Sequence, residues 1–188
     1  MNQEEMKHWK EEIQSLSKAY EKLAGELGPD LMHTRPHPDQ WSFSEILAHL
    51  IVINESYYPT FKALQNGTYK SPFLSKLSFM VRFMGKEILK SVQPQTKKKI
   101  KTFPIWEPIH LEETPDILNR FLKHQEELTQ EFEACITLFP QNPVLYSPAS
   151  KMIFYHLSTA FEIILSHEKR HLLQAQRLLE QFQQYVKA

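Results

Sequence analysis

The stretch Phe154–Tyr185, FYHLSTAFEIILSHEKRHLLQAQRLLEQFQQY, holds neither Pro nor Gly and repeats its apolar residues at helical spacing. Ala160, Ile164 and Leu178, with Ile163 beside them, mark one stripe, and His167, His171 and Gln174 fall on it. This predicts a helix from Pro148 to near Val186, broken near its start. On such a helix His156 stands about 16 Å from His167, too far to share a ligand with it, and reads as core or pocket lining. His167 and His171 differ by about 40° and one turn, so both imidazoles can face one metal ion. Burying two such rings on a core-facing stripe without partners costs on the order of 1–3 kcal/mol each, which a metal or bound water would relieve.

The rest of the chain has the same character. Four Gly, and twelve Pro gathered in clusters, leave long segments rich in Leu, Glu, Lys, Gln and Ala, which predicts an all-α fold. At 188 residues the expectation is a single domain, 1–188. Twenty-two cations balance twenty-two carboxylates, so no overall field draws in nucleic acid. One cysteine, Cys135, excludes an internal disulfide, fits a reducing cytoplasm, and reads as a buried thiol. The N-terminus lacks the apolar core of a signal peptide, and no run is long enough to span a bilayer. A soluble, cytoplasmic protein without a membrane partner is expected.

Working back from the His pair, Trp9, Ile13, Leu16, Tyr20, Leu23 and Leu27 give steps of three and four on a first helix, Gln3–Leu27, stopped by Gly28-Pro29. Ser42 and Glu45 form a capping box that starts a second helix, continuing to about Gln65 with a kink at Pro59. His49 sits inside its apolar run, an unusual place for an imidazole. A third helix opens at Thr114-Pro115-Asp116 and runs to about Leu138, with His124, between Lys123 and Gln125, expected on the surface. The long crossover holds an extra helix, Phe73–Val92, then the basic run Lys97-Lys98-Lys99 and an extended strap, Phe103–Pro108. The basic, amphipathic segment 73–101 could touch a membrane surface, although a solvated helix packed on the bundle is the favoured reading. Four helices with one long crossover make a four-helix bundle.

Read literally, His167-Glu168-Lys169-Arg170-His171 is H-E-x-x-H, the zinc-protease pattern. Its three-His version needs a Gly and a further His where this chain has Gln174 and Arg177. Glu180, the only later carboxylate, is about 13 Å along the helix, out of reach. The better third ligand is His49: two His from one helix and one from a neighbour make an open site inside a bundle.

Arg35-Pro36, Trp41-Ser42, Glu45 and Ala48-His49-Leu50 resemble the first signature of the DinB/YfiT-like superfamily, and His167-x-x-Arg170-His171-x-x-Gln174 resembles the second. The two stand in order, about 120 residues apart, and the likeness spans nearly the whole chain. It implies an up-down-down-up bundle, often a homodimer, and a divalent ion, commonly zinc or nickel, held by His49, His167 and His171. Relatives include S-transferases that use the thiols bacillithiol or mycothiol, a thiol-dependent isomerase, and metal-dependent hydrolases. One departure is that Asn142–Pro148 lacks the Gly usual before the last helix.

The resulting expectation is a metal-dependent enzyme acting on a small-molecule substrate, as a thiol S-transferase or a hydrolase. Glu168 is a candidate general base, unless it is simply solvated; Gln174 could orient a ligand or water, and Arg170 could pair with the carboxylate of a thiol cosubstrate or form a structural salt bridge. The competing expectation is a non-catalytic protein in which the ion fastens two helices, closed by a fourth ligand such as His33 or His37.

Overall fold

The computed structural model describes residues 3–96, 102–108 and 116–187. The Thr114-Pro115 cap and the Lys97–Lys99 run lie outside them. Among the described residues there are six helices: α1 (Gln3–Met32), α2 (Phe43–Glu55), α3 (Tyr58–Gln65), α4 (Ser78–Val92), α5 (Ile117–Ala134) and α6 (Leu157–Lys187). A hairpin, β1 (Val144–Ser147) with β2 (Ser150–His156), precedes α6. Short 3-10 turns sit at Phe73–Lys76, Pro104–Trp106 and Ile136–Leu138.

Beside a small cluster of Val81, Val144 and Phe154 that joins α4 to the hairpin, the apolar core of the bundle divides into two groups, and their membership gives the helix directions. One group joins Met6–Leu16 of α1, Tyr57, Phe61 and Leu64, the end of α5, and Leu157–Leu165 at the start of α6. The other joins Tyr20–Leu27 of α1, Phe43–Ile51 of α2, Ile117 and Phe121 at the start of α5, and Ala175–Leu179 of α6. So α1 and α6 run from the first group to the second, while α2–α3 and α5 run back. The bundle is all-α in its architecture, with up-down-down-up order, and α4 is the extra helix in the crossover. The stripe from Trp9 to Leu27 is buried along its whole length.

Several boundaries differ from the sequence expectation. Gly28 adopts φ 72°, open to glycine, so Gly28-Pro29 kinks α1 and lets it reach Met32 instead of ending it. The second helix breaks at Ser56-Tyr57, and Pro59 sits in the first turn of α3, where its missing N–H does no harm. The Phe103–Pro108 strap contains a 3-10 turn where an extended run was expected. The largest correction concerns 144–156, expected to be loop and helix. Val144, Leu145 and Tyr146 pair with Phe154, Tyr155 and His156, β-formers on both sides of a two-residue turn at Pro148-Ala149. His156 is therefore a strand residue, its Nδ1 2.9 Å from the Asn142 carbonyl. Asn142, at φ 41°, then caps α6: its Oδ1 accepts from the Ser158 amide at 3.0 Å.

Candidate metal centre

The capping box forms as expected. Ser42 Oγ accepts from the Glu45 amide at 3.2 Å, and Glu45 Oε2 accepts from the Ser42 amide at 2.8 Å. Arg35 donates to both oxygens of the same carboxylate. Burial alone would raise the Glu45 pKa, but these bonds outweigh it and hold the carboxyl below its usual value. The start of α2 is thereby fixed, and His49, about two turns in, faces α6.

There the ring of His49 lies 5.2 Å from that of His167 and 4.9 Å from that of His171, centroid to centroid, with Trp41 4.8 Å away on another side. One ring nitrogen from each His lies within 4.8 Å of the others. His49 Nδ1 donates to the Trp106 carbonyl at 2.6 Å, which leaves Nε2 with its lone pair free. Nε2 of His167 and Nε2 of His171 are 3.1 Å apart. Two nitrogens bound tetrahedrally to one ion at about 2.0–2.1 Å stand about 3.3–3.4 Å apart, so this pair is spaced much as two ligands of one metal ion would be.

The electrostatics fit as well. Burial drives the His49 pKa down to about 4, against a smaller upward pull from the Trp106 carbonyl. Burial also takes His167 and His171 well below the usual imidazole value, and their proximity to one another, to His49 and to Arg170 adds to it. All three rings are neutral near pH 7, the form that binds metal. His33 and His37 are exposed and do not fold in as a fourth ligand. Among the described residues the His/Cys/Asp/Glu group able to hold an ion is these three alone.

A cavity of about 590 Å³ opens onto the three imidazoles, bounded by α2, α4, α6, the hairpin and the Trp106 strap. Ile53, Ile88 and Ile164 give it apolar walls, and Arg170, Gln174 and Arg177 add polar groups along α6. Arg170 Nη1 donates to the Ser91 carbonyl at 2.6 Å, tying α6 to the last turn of α4. Gln174, one turn past His171, partly offsets the downward shift of that ring.

Glu168 is neither solvated nor exposed. It is fully buried, and its Oε1 accepts from Asn54 Nδ2 of α2 at 2.7 Å and from Gln125 Nε2 of α5 at 2.8 Å. Burial pushes its carboxyl up to about 7 in spite of those two bonds. His124 is likewise buried, against expectation. Its Nε2 is 3.2 Å from Asn54 Nδ2, and its ring stacks on Tyr58. On α1, the Tyr20 hydroxyl donates to the Glu168 carbonyl at 2.9 Å. Sequence reasoning missed this network and the Trp106 carbonyl behind His49. Cys135 is buried as expected, and burial pushes its thiol up to about 11.

An up-down-down-up bundle with a three-imidazole cluster between its second and last long helices defines a class of small helical proteins with a candidate metal site. Within that class, the model of the DinB superfamily matches residues 12–175, and the chain belongs to that superfamily. No curated protein and no solved structure matched the chain.

Proposed function

We propose that this protein is a metal-dependent enzyme in which His49, His167 and His171 hold a zinc or nickel ion, acting as a thiol-dependent S-transferase or a hydrolase on a small molecule. The supporting observation is that three neutral imidazoles converge on the wall of a cavity large enough for a small substrate. A closed site serving only to fasten helices would need a fourth protein ligand in place of that open side. When bound, such an ion supplies the positive charge that lowers the pKa of a thiol or a water near pH 7.

The chain's own groups divide the remaining work. The Trp106 carbonyl keeps His49 in one tautomer, and Gln174 positions His171. Arg177, exposed at the cavity, pairs with an anionic end of the thiol or substrate, whereas Arg170 is engaged with α4 and holds that wall in place. Glu168 acts by tying α6 to α2 and α5. In S-transfer the thiol proton passes to solvent, the sulfur forms a bond to an electrophilic carbon, and the leaving group departs with its electron pair.

The test is elemental analysis of untagged protein beside His49→Ala and His167→Ala, followed by a screen of low-molecular-weight thiols against electrophiles. About one equivalent of zinc or nickel, lost in both variants, with thiol-dependent turnover, supports the reading. Metal without turnover, and unfolding when the metal is stripped, would favour the structural alternative. Wild-type protein that stays metal-free after incubation with both ions would end both.

A further inference from the structure

The two faces of α4 have opposite characters. Val81 and Gly85 are buried, and Ile88 and Val92 line the cavity. The outward arc carries Phe79, Arg82, Phe83, Lys86, Glu87 and Lys90. Phe79 and Phe83, one turn apart, are 66% and 65% exposed. The preceding turn adds Phe73, 91% exposed, with Leu74 and Leu77; β2, which packs on α4, adds Met152, 81% exposed. Single exposed apolar residues need no explanation, but six large ones around one helix mark a contact surface.

Charge identifies the occupant. Between residues 70 and 90 stand five cations, Lys70, Lys76, Arg82, Lys86 and Lys90, against one carboxylate, Glu87, in a chain that is neutral as a whole. No ion pair neutralises these five among the described residues. We propose that the outward face of α4 docks on an anionic lipid bilayer, its cations on the headgroups and Phe79 and Phe83 at the headgroup–acyl boundary. A helix lying in the interface combines these two kinds of side chain, apolar area for depth and basic charge for attraction. A second copy is a poor occupant, since a two-fold contact would set basic face against basic face. A nucleic-acid strand would use the aromatics for stacking and leave Leu74, Leu77 and Met152 unexplained. No helix among the described residues is long and apolar enough to cross a membrane, so the contact is peripheral.

The test is flotation of the full chain, at physiological salt, with vesicles of phosphatidylcholine alone and with vesicles containing phosphatidylserine as well. The wild type is expected to float with the anionic vesicles and not with the neutral ones. Phe79→Ser with Phe83→Ser abolishes flotation, and Lys86→Glu with Lys90→Glu weakens it by at least about 25-fold, at about fivefold for each of the two cations removed. Helix content and metal content stay as in the wild type, because these side chains face solvent. Failure to float with anionic vesicles, or flotation of the Phe double variant as well as the wild type, overturns the proposal. A dimer in solution that the Phe substitutions split, or tight binding of single-stranded RNA that they abolish, would also overturn it by assigning the face to another partner.

Discussion

Trp106→Ala is expected to weaken metal binding while leaving the bundle folded. The indole of Trp106 is buried, its Nε1 donates to Ser56 Oγ at 3.2 Å at the end of α2, and Phe103 meets it edge-on at 5.4 Å. These contacts fasten the strap whose carbonyl receives His49 Nδ1. Truncating a packed Trp costs about 3–5 kcal/mol in a core. Trp106 belongs to neither apolar group of the bundle, so the loss falls on the strap. With the carbonyl no longer held, His49 can rotate and change tautomer, and loss of such a supporting partner costs about 10–100-fold in metal affinity. That is about 1.4–2.7 kcal/mol. Zinc or nickel affinity measured against a chromogenic chelator, with a thermal melt of the metal-free protein alongside, reads both effects. Affinity within about twofold of wild type would refute a supporting role for the carbonyl. A melt depressed as far as that of a core variant such as Phe161→Ala would refute the confinement of the loss to the strap.

Three further outcomes follow from the packing. His124 is pushed down to about 4 by burial, with Arg120 adding to it, so the unfolded chain binds its proton first; stability from this residue is complete above about pH 6.5 and falls by roughly 3 kcal/mol as pH drops to 4. Urea titrations of metal-free protein read this on top of a fall of the same sign from His49, His167 and His171, and His124→Phe should remove its share of about 3 kcal/mol; an unchanged slope counts against the assignment. Asn54→Leu takes one of its two donors from Glu168 and also the partner of His124 Nε2, whereas Gln125→Leu takes only the other donor from Glu168, so the first costs more by about 1–3 kcal/mol in urea unfolding, and the reverse order would be contrary evidence. Gly85→Ala places a methyl 3.1 Å from Thr159 Cγ2 and 3.3 Å from Tyr155 Cβ and lowers stability by about 1–2 kcal/mol, while Gly25→Ala, with nothing near, raises it by about 0.5–1 kcal/mol. Equal melting shifts in the two variants would remove the tight α4 contact from the account.

What the sequence disclosed was local or was a violation of pattern. The Ser42–Glu45 box is complete within four residues, and His49 stands out because an imidazole interrupts an apolar run. His167 and His171 reveal themselves by lying on the core-facing stripe. Features formed by distant partners were not legible: the carbonyl behind His49 is 57 residues away, and Asn142 caps α6 from 16 residues upstream. The last helix was expected to begin at Pro148, and only the pairing of β1 with β2 shows that Pro148 occupies the hairpin turn. His124 had a readable signal. With Gln125 it fills the gap between Phe121 and Leu128 on the buried stripe of α5, and its charged neighbour Lys123 drew attention to the wrong face.

The buried polar residues have a common location that joins fold to site. Between the two apolar groups every long helix contributes to a polar layer: the Tyr20 hydroxyl from α1, Asn54 from α2, His124 and Gln125 from α5, and Glu168 from α6. An apolar bundle tolerates a helix sliding by one turn, because Leu, Ile and Phe accept many neighbours. A buried carboxylate does not, since a one-turn slip of α6 would take Glu168 from its two amide donors and leave it unpaired at a cost of several kcal/mol. The layer therefore adds little net stability and instead fixes the register of α6 on α2. That same register sets how closely His49 on α2 approaches His167 and His171 on α6, where an error of about an ångström would prevent the three from sharing one ion. Glu168, one residue and about 100° around the helix from His167, thus bears on the imidazole cluster through helix position.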